Sequence, residues 1–114
     1  IVDYSACVIR KVSADSIITT VGGNTCASSA VSFTSGKFTT AQLANPWGIW
    51  GESSGLYLYI SDSFRIWRYN TISGNATSFS GNNVAGNYLD DGRRVNETYL
   101  PFPRSLWIDT TGNM

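Results

Sequence analysis

Two stretches of this chain can be laid on each other, and that internal repeat constrains the fold more than any other feature. The segment LANPWGIW (43–50) matches LPFPRSLW (100–107) at an offset of 57, aligning Leu43 with Leu100, Pro46 with Pro103 and Trp50 with Trp107. Gly55 meets Gly112 at the same offset, VGGN (21–24) matches FSGN (79–82) at 58, and IVD (1–3) matches ISD (60–62) at 59. The drift of one or two residues falls in loops. Four anchors in the same order, with a period near half of the 114 residues, are the signature of a repeat architecture.

Within one period the hydrophobic pattern is that of short strands. Residues 56–62 alternate, 65–70 alternate again, and SFR between them is a tight connection. TISG (71–74) is a turn and NATSFSG (75–81) a weaker strand. CVIRKVS (7–13), the turn ADS, and IITTVGG (17–23) repeat the theme, while WGIWGE (47–52) and SLWID (105–109) each follow a proline and precede a Gly turn. Only 36–44 has a weak helical pattern. Aromatics at 13% and abundant Gly, Ser, Thr and Asn suit strands and turns. Each period thus holds four strands. A repeat of four antiparallel strands implies an all-β chain, a β-propeller segment of four-stranded blades. The expected division is 1–46 for the second to fourth strands of a first blade and its link, 47–103 for a second blade and link, and 104–114 for the first strand of a following blade. Both ends are expected to fall in mid-repeat, and the opening on Ile1-Val2 fits a mature or excised segment.

The run NPWGIW…GLYLYISD…RIWRYN resembles the NHL repeat, with its proline, Gly-containing first strand, G-x-h-Y-h-x-D second strand (h apolar) and arginine-led third strand. IITTVGGN and TTAQLANP resemble its fourth strand and the link to the next blade. The resemblance covers nearly the whole chain as about two blades. It implies an NHL-like propeller fold; as to function it is weak. Two positions depart: Gly48 is Ser105 in the second unit, and the third-strand arginine, Arg65, is Val8 in the first.

Arginines among aromatics in LYLYISDSFRIWRYN (56–70) raise the question of nucleic-acid binding, which some NHL propellers perform through a basic face. Eight Lys and Arg against eight Asp and Glu leave no excess to neutralise phosphates. The expected reading is structural: aromatics fill the wedge between blades, arginine stems lie over rings with heads at the surface or on a carboxylate, and Asp62 pairs with Arg65. No stretch of about 18 apolar residues is present to span a membrane.

The chain has no histidine, which removes the commonest general base and metal ligand. Two cysteines are too few for a structural zinc site. Asp90 and Asp91 in DDGRR (90–94) lack the alternating oxygens of a calcium loop and read instead as a turn held by Asp–Arg pairing, resembling the G-D-G-G loop that links NHL blades. No serine has a histidine base to activate it as a nucleophile. Neither catalytic, cofactor-binding nor metal-binding residues are therefore expected. What remains points to an oxidising compartment. Cys7 opens the third strand of the first unit and Cys26 follows the fourth. A turn near Ala14-Asp15 places Cys7 opposite residues 22–24, and a bend after Gly23 brings Cys26 within bonding range. Such a disulfide closes a loop of about twenty residues and contributes roughly 3 kcal/mol in the chain-entropy account. Asn75-Ala76-Thr77 and Asn96-Glu97-Thr98 are N-glycosylation sequons, at an expected hairpin tip and in the long inter-blade link.

The expected function is an extracellular, glycosylated scaffold, structural or adhesive, whose partners are further blades of its own chain, copies of itself or other extracellular proteins. The alternative is a fragment of a lyase-like NHL-propeller enzyme whose catalytic residues lie on blades elsewhere. Two blades cannot close a ring, and each open flank, with Trp50, Trp67 and Trp107 among its expected side chains, leaves apolar area bare at roughly 25 cal/mol per Å². The 114 residues expressed alone are therefore expected to associate, aggregate or stay partly disordered. Sedimentation and thermal melting check this; a dispersed monomer with a cooperative transition contradicts it.

Overall fold

The computed structural model describes residues 1–27, 33–82 and 91–114, which form two antiparallel sheets and no α-helix. The first sheet has the order β1 (Val2–Asp3), β2 (Val8–Val12), β3 (Ile18–Gly22). The second contains β4 (Ser35–Lys37), β5 (Ile49–Gly51), β6 (Tyr57–Asp62), β7 (Arg65–Asn70) and β8 (Asn75–Ser80), in the spatial order β4-β8-β7-β6-β5. Neither sheet is closed.

The repeat seen in the sequence recurs as register. In the first sheet Val2 faces Ile9 and Asp3 faces Val8; in the second Ser61 faces Ile66 and Asp62 faces Arg65, the same pairs shifted by 59 and 57. Ile9 pairs with Gly22 and Arg10 with Thr20, so a bulge falls between Ile9 and Arg10. Ile66 pairs with Ser80 and Trp67 with Ser78, placing a bulge at the matching point. Just past each bulge a glycine turns into the left-handed region, Gly23 at φ 81° and Gly81 at φ 83°. Each presses on the start of the neighbouring strand: a Cβ on Gly23 would come within 2.9 Å of Val8 Cα, and one on Gly81 within 2.8 Å of Arg65 Cα. The sequence match VGGN/FSGN therefore marks a backbone requirement, not a shared surface motif.

The main core lies where one face of each sheet meets the other. Ile9 from the first sheet, Ile60, Trp67, Tyr69 and Ala76 from the second, and Phe38, Ala41 and Leu43 from the segment between β4 and β5 are buried together. Val2, Val21, Phe33 and Leu58 pack around this cluster. Phe38 fits because Gly22 has no side chain: a Cβ there would collide with the Phe38 ring. A second cluster, Tyr59, Ile66 and Ile108 with Trp50, Tyr57, Phe79, Leu100 and Leu106 around it, covers part of the other face of the second sheet.

Several expectations need correcting. The segment with a weak helical pattern, 36–44, instead begins in strand β4, which pairs with β8 as a fifth strand, and continues as one 3-10 turn over Phe38–Thr40. Gly36 at φ 132° and two threonines are poor helix formers, and burial of Phe38 decides the conformation. Ser105–Asp109 is not a strand, because among the described residues no second strand lies beside it; instead the Arg104 carbonyl accepts the Ser61 hydroxyl at 3.1 Å. Trp67 is not on an open flank. It is fully buried between the sheets, Trp50 is half-buried, and Trp107 remains 68% exposed.

Alanine at Gly23 or Gly81 combines left-handed strain with a backbone collision and should cost more than about 2 kcal/mol. Gly55→Ala is the control. Gly55 has φ 70°, but a Cβ there would meet nothing within 4 Å, so only the strain of about 1–2 kcal/mol applies. Urea unfolding at a fixed protein concentration measures the three.

Candidate functional site

The cysteines are joined: Cys7 and Cys26 form a disulfide with Cα atoms 5.1 Å apart. Cys7 is buried, sits at φ 53° just before β2, and belongs to the main core. Cys26 lies beyond the Gly23 bend, bridging in parallel to Leu43. The bond thus ties the end of the first hairpin to the chain that leads into the second sheet.

Asp62 performs a related task without covalent chemistry. Its Oδ1 accepts the amides of Ala44 at 3.0 Å, Asn45 at 2.6 Å and Ser63 at 3.0 Å, and Oδ2 accepts Trp67 Nε1 at 3.4 Å. The link Leu43–Pro46 is thereby clamped to the second sheet. Asp62 and Arg65 are opposite each other in register, as expected, but the carboxylate turns to backbone amides. Arg65 donates from Nη1 to the Phe33 carbonyl at 2.6 Å and lies 4.6 Å from the Trp67 ring centre. Its head is buried, not at the surface. Burial pulls the guanidinium down from its ordinary range, and the charge of Asp62 opposes that shift. The guanidinium of Arg68 lies 5.0 Å from the Tyr57 ring centre and that of Arg104 4.8 Å from the Trp47 ring centre, so the heads cover the rings where the stems were expected to. The arginine–aromatic pattern is thus absorbed in packing.

Asn75 and Asn96 are both exposed. Asn75 is the first residue of β8, one step past the tip formed with Gly74 at φ 72°, and is paired in register with Lys37. Asn96 lies in an irregular segment where the Thr98 hydroxyl donates to the Val95 carbonyl at 2.9 Å. In DDGRR, Asp90 lies outside the described residues; Asp91–Gly92–Arg93 is an exposed turn with Gly92 at φ 80°. Among the described residues no cluster of three His, Cys, Asp or Glu side chains is placed to hold a metal ion.

A cleft of about 360 Å³ on the second sheet's outer face is a feature that no motif in the sequence announces. Trp50, Tyr59 and Phe79 supply its aromatic wall, Glu52 and Asp109 its carboxylates. The rings of Tyr59 and Phe79 meet edge-on with centroids 5.1 Å apart. Tyr59 donates its hydroxyl to Glu52 Oε1 at 2.9 Å, and its pKa is raised by burial and then by that carboxylate. Asp109 is held below the usual carboxylate range by hydrogen bonds from Thr111 and Asn113. The alternation of 56–62 hints at such a wall, but only the β5–β6–β7–β8 register brings Trp50 and Phe79 to Tyr59.

Among known proteins, the chain matches no protein-family model and no curated protein. No helix among the described residues is long and apolar enough to cross a membrane.

Non-reducing peptide mapping of native material should recover Cys7 and Cys26 in one linked pair. Replacing both with Ala should cost about 2–4 kcal/mol in urea unfolding. Two free thiols in the native protein contradict the geometry.

Proposed function

We propose that the chain is an extracellular, glycosylated segment of an NHL-like β-propeller, its two sheets being successive blades, and that it serves as a structural or adhesive scaffold on which other proteins or glycans dock. The observation that carries this reading is the repeated register: two antiparallel sheets packed face to face, with the bulge and the left-handed glycine at matching positions. A repeat unit that buries one face only against its neighbour is the physical logic of a propeller blade. The disulfide supports an oxidising compartment, since such bonds persist mainly outside the cytosol. Exposure of both sequons supports glycan attachment. A balance of eight basic and eight acidic residues favours neither a nucleic-acid surface nor an anionic membrane. In this reading the aromatic stretch 56–70 supplies the packing between blades, and the scaffold's specificity lies in its loops and uncovered faces.

Glycopeptide analysis of protein from its natural source tests the compartment. Asn75 and Asn96 should both carry N-linked sugar; two bare asparagines would remove the extracellular reading.

A further inference from the structure

Trp67 and Phe38 fill the middle of the seam between the two sheets, but the filling stops at Tyr69. Beyond it, beside Thr71, a slot of about 330 Å³ opens between the sheets. Pleating puts alternate residues of a strand on one face. β2 therefore carries Lys11 on the same side as Ile9, toward the seam. On the second sheet the paired registers put Ile49, Leu58 and Tyr69 on the side of Ile60 and Trp67. Ile9 and Val21 thus form one wall of the slot, and Ile49 and Leu58 the other.

Two polar groups in this lining are unanswered by the chain itself. Tyr69 is only 8% exposed, yet its hydroxyl has no hydrogen-bond partner among the described residues. Burial alone raises its pKa. Buried polar groups are nearly always paired, so a phenol lining an otherwise aliphatic slot marks a place where an acceptor belongs. Lys11 is exposed and makes no ion pair or hydrogen bond among the described residues. Arg10, at the rim, already stands 4.0 Å from Asp3. The slot is lined by these two cations and by no carboxylate. The cleft on the outer face differs: its phenol, Tyr59, donates to Glu52, and Asp109 is satisfied by Thr111 and Asn113.

These features together select a ligand class. Aliphatic walls favour a hydrocarbon chain, and a phenolic donor beside an ammonium favours an anionic oxygen, which forms the stronger, charge-assisted hydrogen bonds. The volume lies at the small end of ligand pockets, which run about 300–1,000 Å³. A gap between two sheets admits one chain and not a bilayer surface. We propose that the slot between β2 and the β6–β7 hairpin binds a free single-chain carboxylate of medium length, its tail between Ile9, Val21, Ile49 and Leu58 and its carboxylate on Lys11 and the Tyr69 hydroxyl. This site goes beyond the scaffold reading and does not depend on it.

Isothermal titration calorimetry of the full chain with decanoate, kept below its micelle concentration, tests the proposal. Binding should saturate at one site. 1-Decanol, with the same tail and no charge, should bind about tenfold more weakly, and decyltrimethylammonium more weakly still. Lys11→Glu and Tyr69→Phe should each weaken decanoate by about tenfold or more. Lys37→Glu changes the net charge equally but lies outside the slot, and should leave binding unchanged. Lys11 is exposed and Tyr69→Phe removes only an unpaired oxygen, so both variants should keep the urea midpoint of the unmodified protein, which verifies that lost binding is not lost structure. Absence of saturable decanoate binding overturns the proposal. So does equal affinity for decanol, or decanoate binding that survives both slot variants, since general adsorption to exposed apolar surface gives either result. Binding to phosphatidylglycerol vesicles without binding to decanoate also overturns it, in favour of a membrane surface.

Discussion

Burial of Trp67 between the two sheets is the interaction on which the rest of the structure depends. Its ring has Phe33 at 5.5 Å and Phe38 at 6.0 Å between centroids, with the Arg65 guanidinium over it. A ring of this size contributes several kcal/mol when removed from water, and its indole N–H needs a partner once buried. Asp62 is within reach at 3.4 Å. The same carboxylate holds the amides of Ala44 and Asn45, so the side chain that accompanies the core tryptophan also anchors the segment that leads from β4 to β5. Packing and chain path are thereby set together.

The first sheet is small: three strands, of which β1 has two residues. A sheet of that size is not stable without cover on one face. Its cover comes from Phe38 over Gly22, from Ile60, Trp67 and Tyr69, and from the disulfide that fastens its end to the segment beside Leu43. Each device acts at a different level. Apolar burial supplies the driving force, the missing Cβ of Gly22 allows close approach, and the covalent bond restricts the unfolded chain.

Much of this is legible in the sequence because the repeat carries backbone information. The VGGN/FSGN match locates two left-handed glycines, and the alternation of 56–62 and 65–70 locates β6 and β7 with ends accurate to a residue. Hairpin geometry alone places Cys7 near residues 22–24, which is enough to find the disulfide. What the sequence conceals depends on tertiary context. Lys37–Thr40 has no period that announces a strand edge followed by a 3-10 turn; Phe38 dictates it by filling the space over Gly22. Trp67 and Trp50 look alike in sequence, and only the direction of the pleat sends one into the seam and the other to the outer face. SLWID has a strand's composition, yet a strand also requires a neighbour to pair with. The aromatic cleft is invisible for a similar reason, since Trp50, Tyr59 and Phe79 belong to three strands and meet only through register.

Under the scaffold reading proposed above, specificity lies at the margins: the exposed Asn75 and Asn96, and the acidic, aromatic cleft on the outer face of the second sheet. The central claim beneath that reading is that the Trp67 seam makes two repeated sheets into one cooperative unit. Amide hydrogen exchange on the native protein and on Trp67→Ala tests it most directly. When the ring is removed, β2 and β3 should lose protection together with β6 and β7, although β2 and β3 contain no substitution. Protection that persists in the first sheet while the second opens would show that the sheets hold themselves up independently, and would contradict the claim.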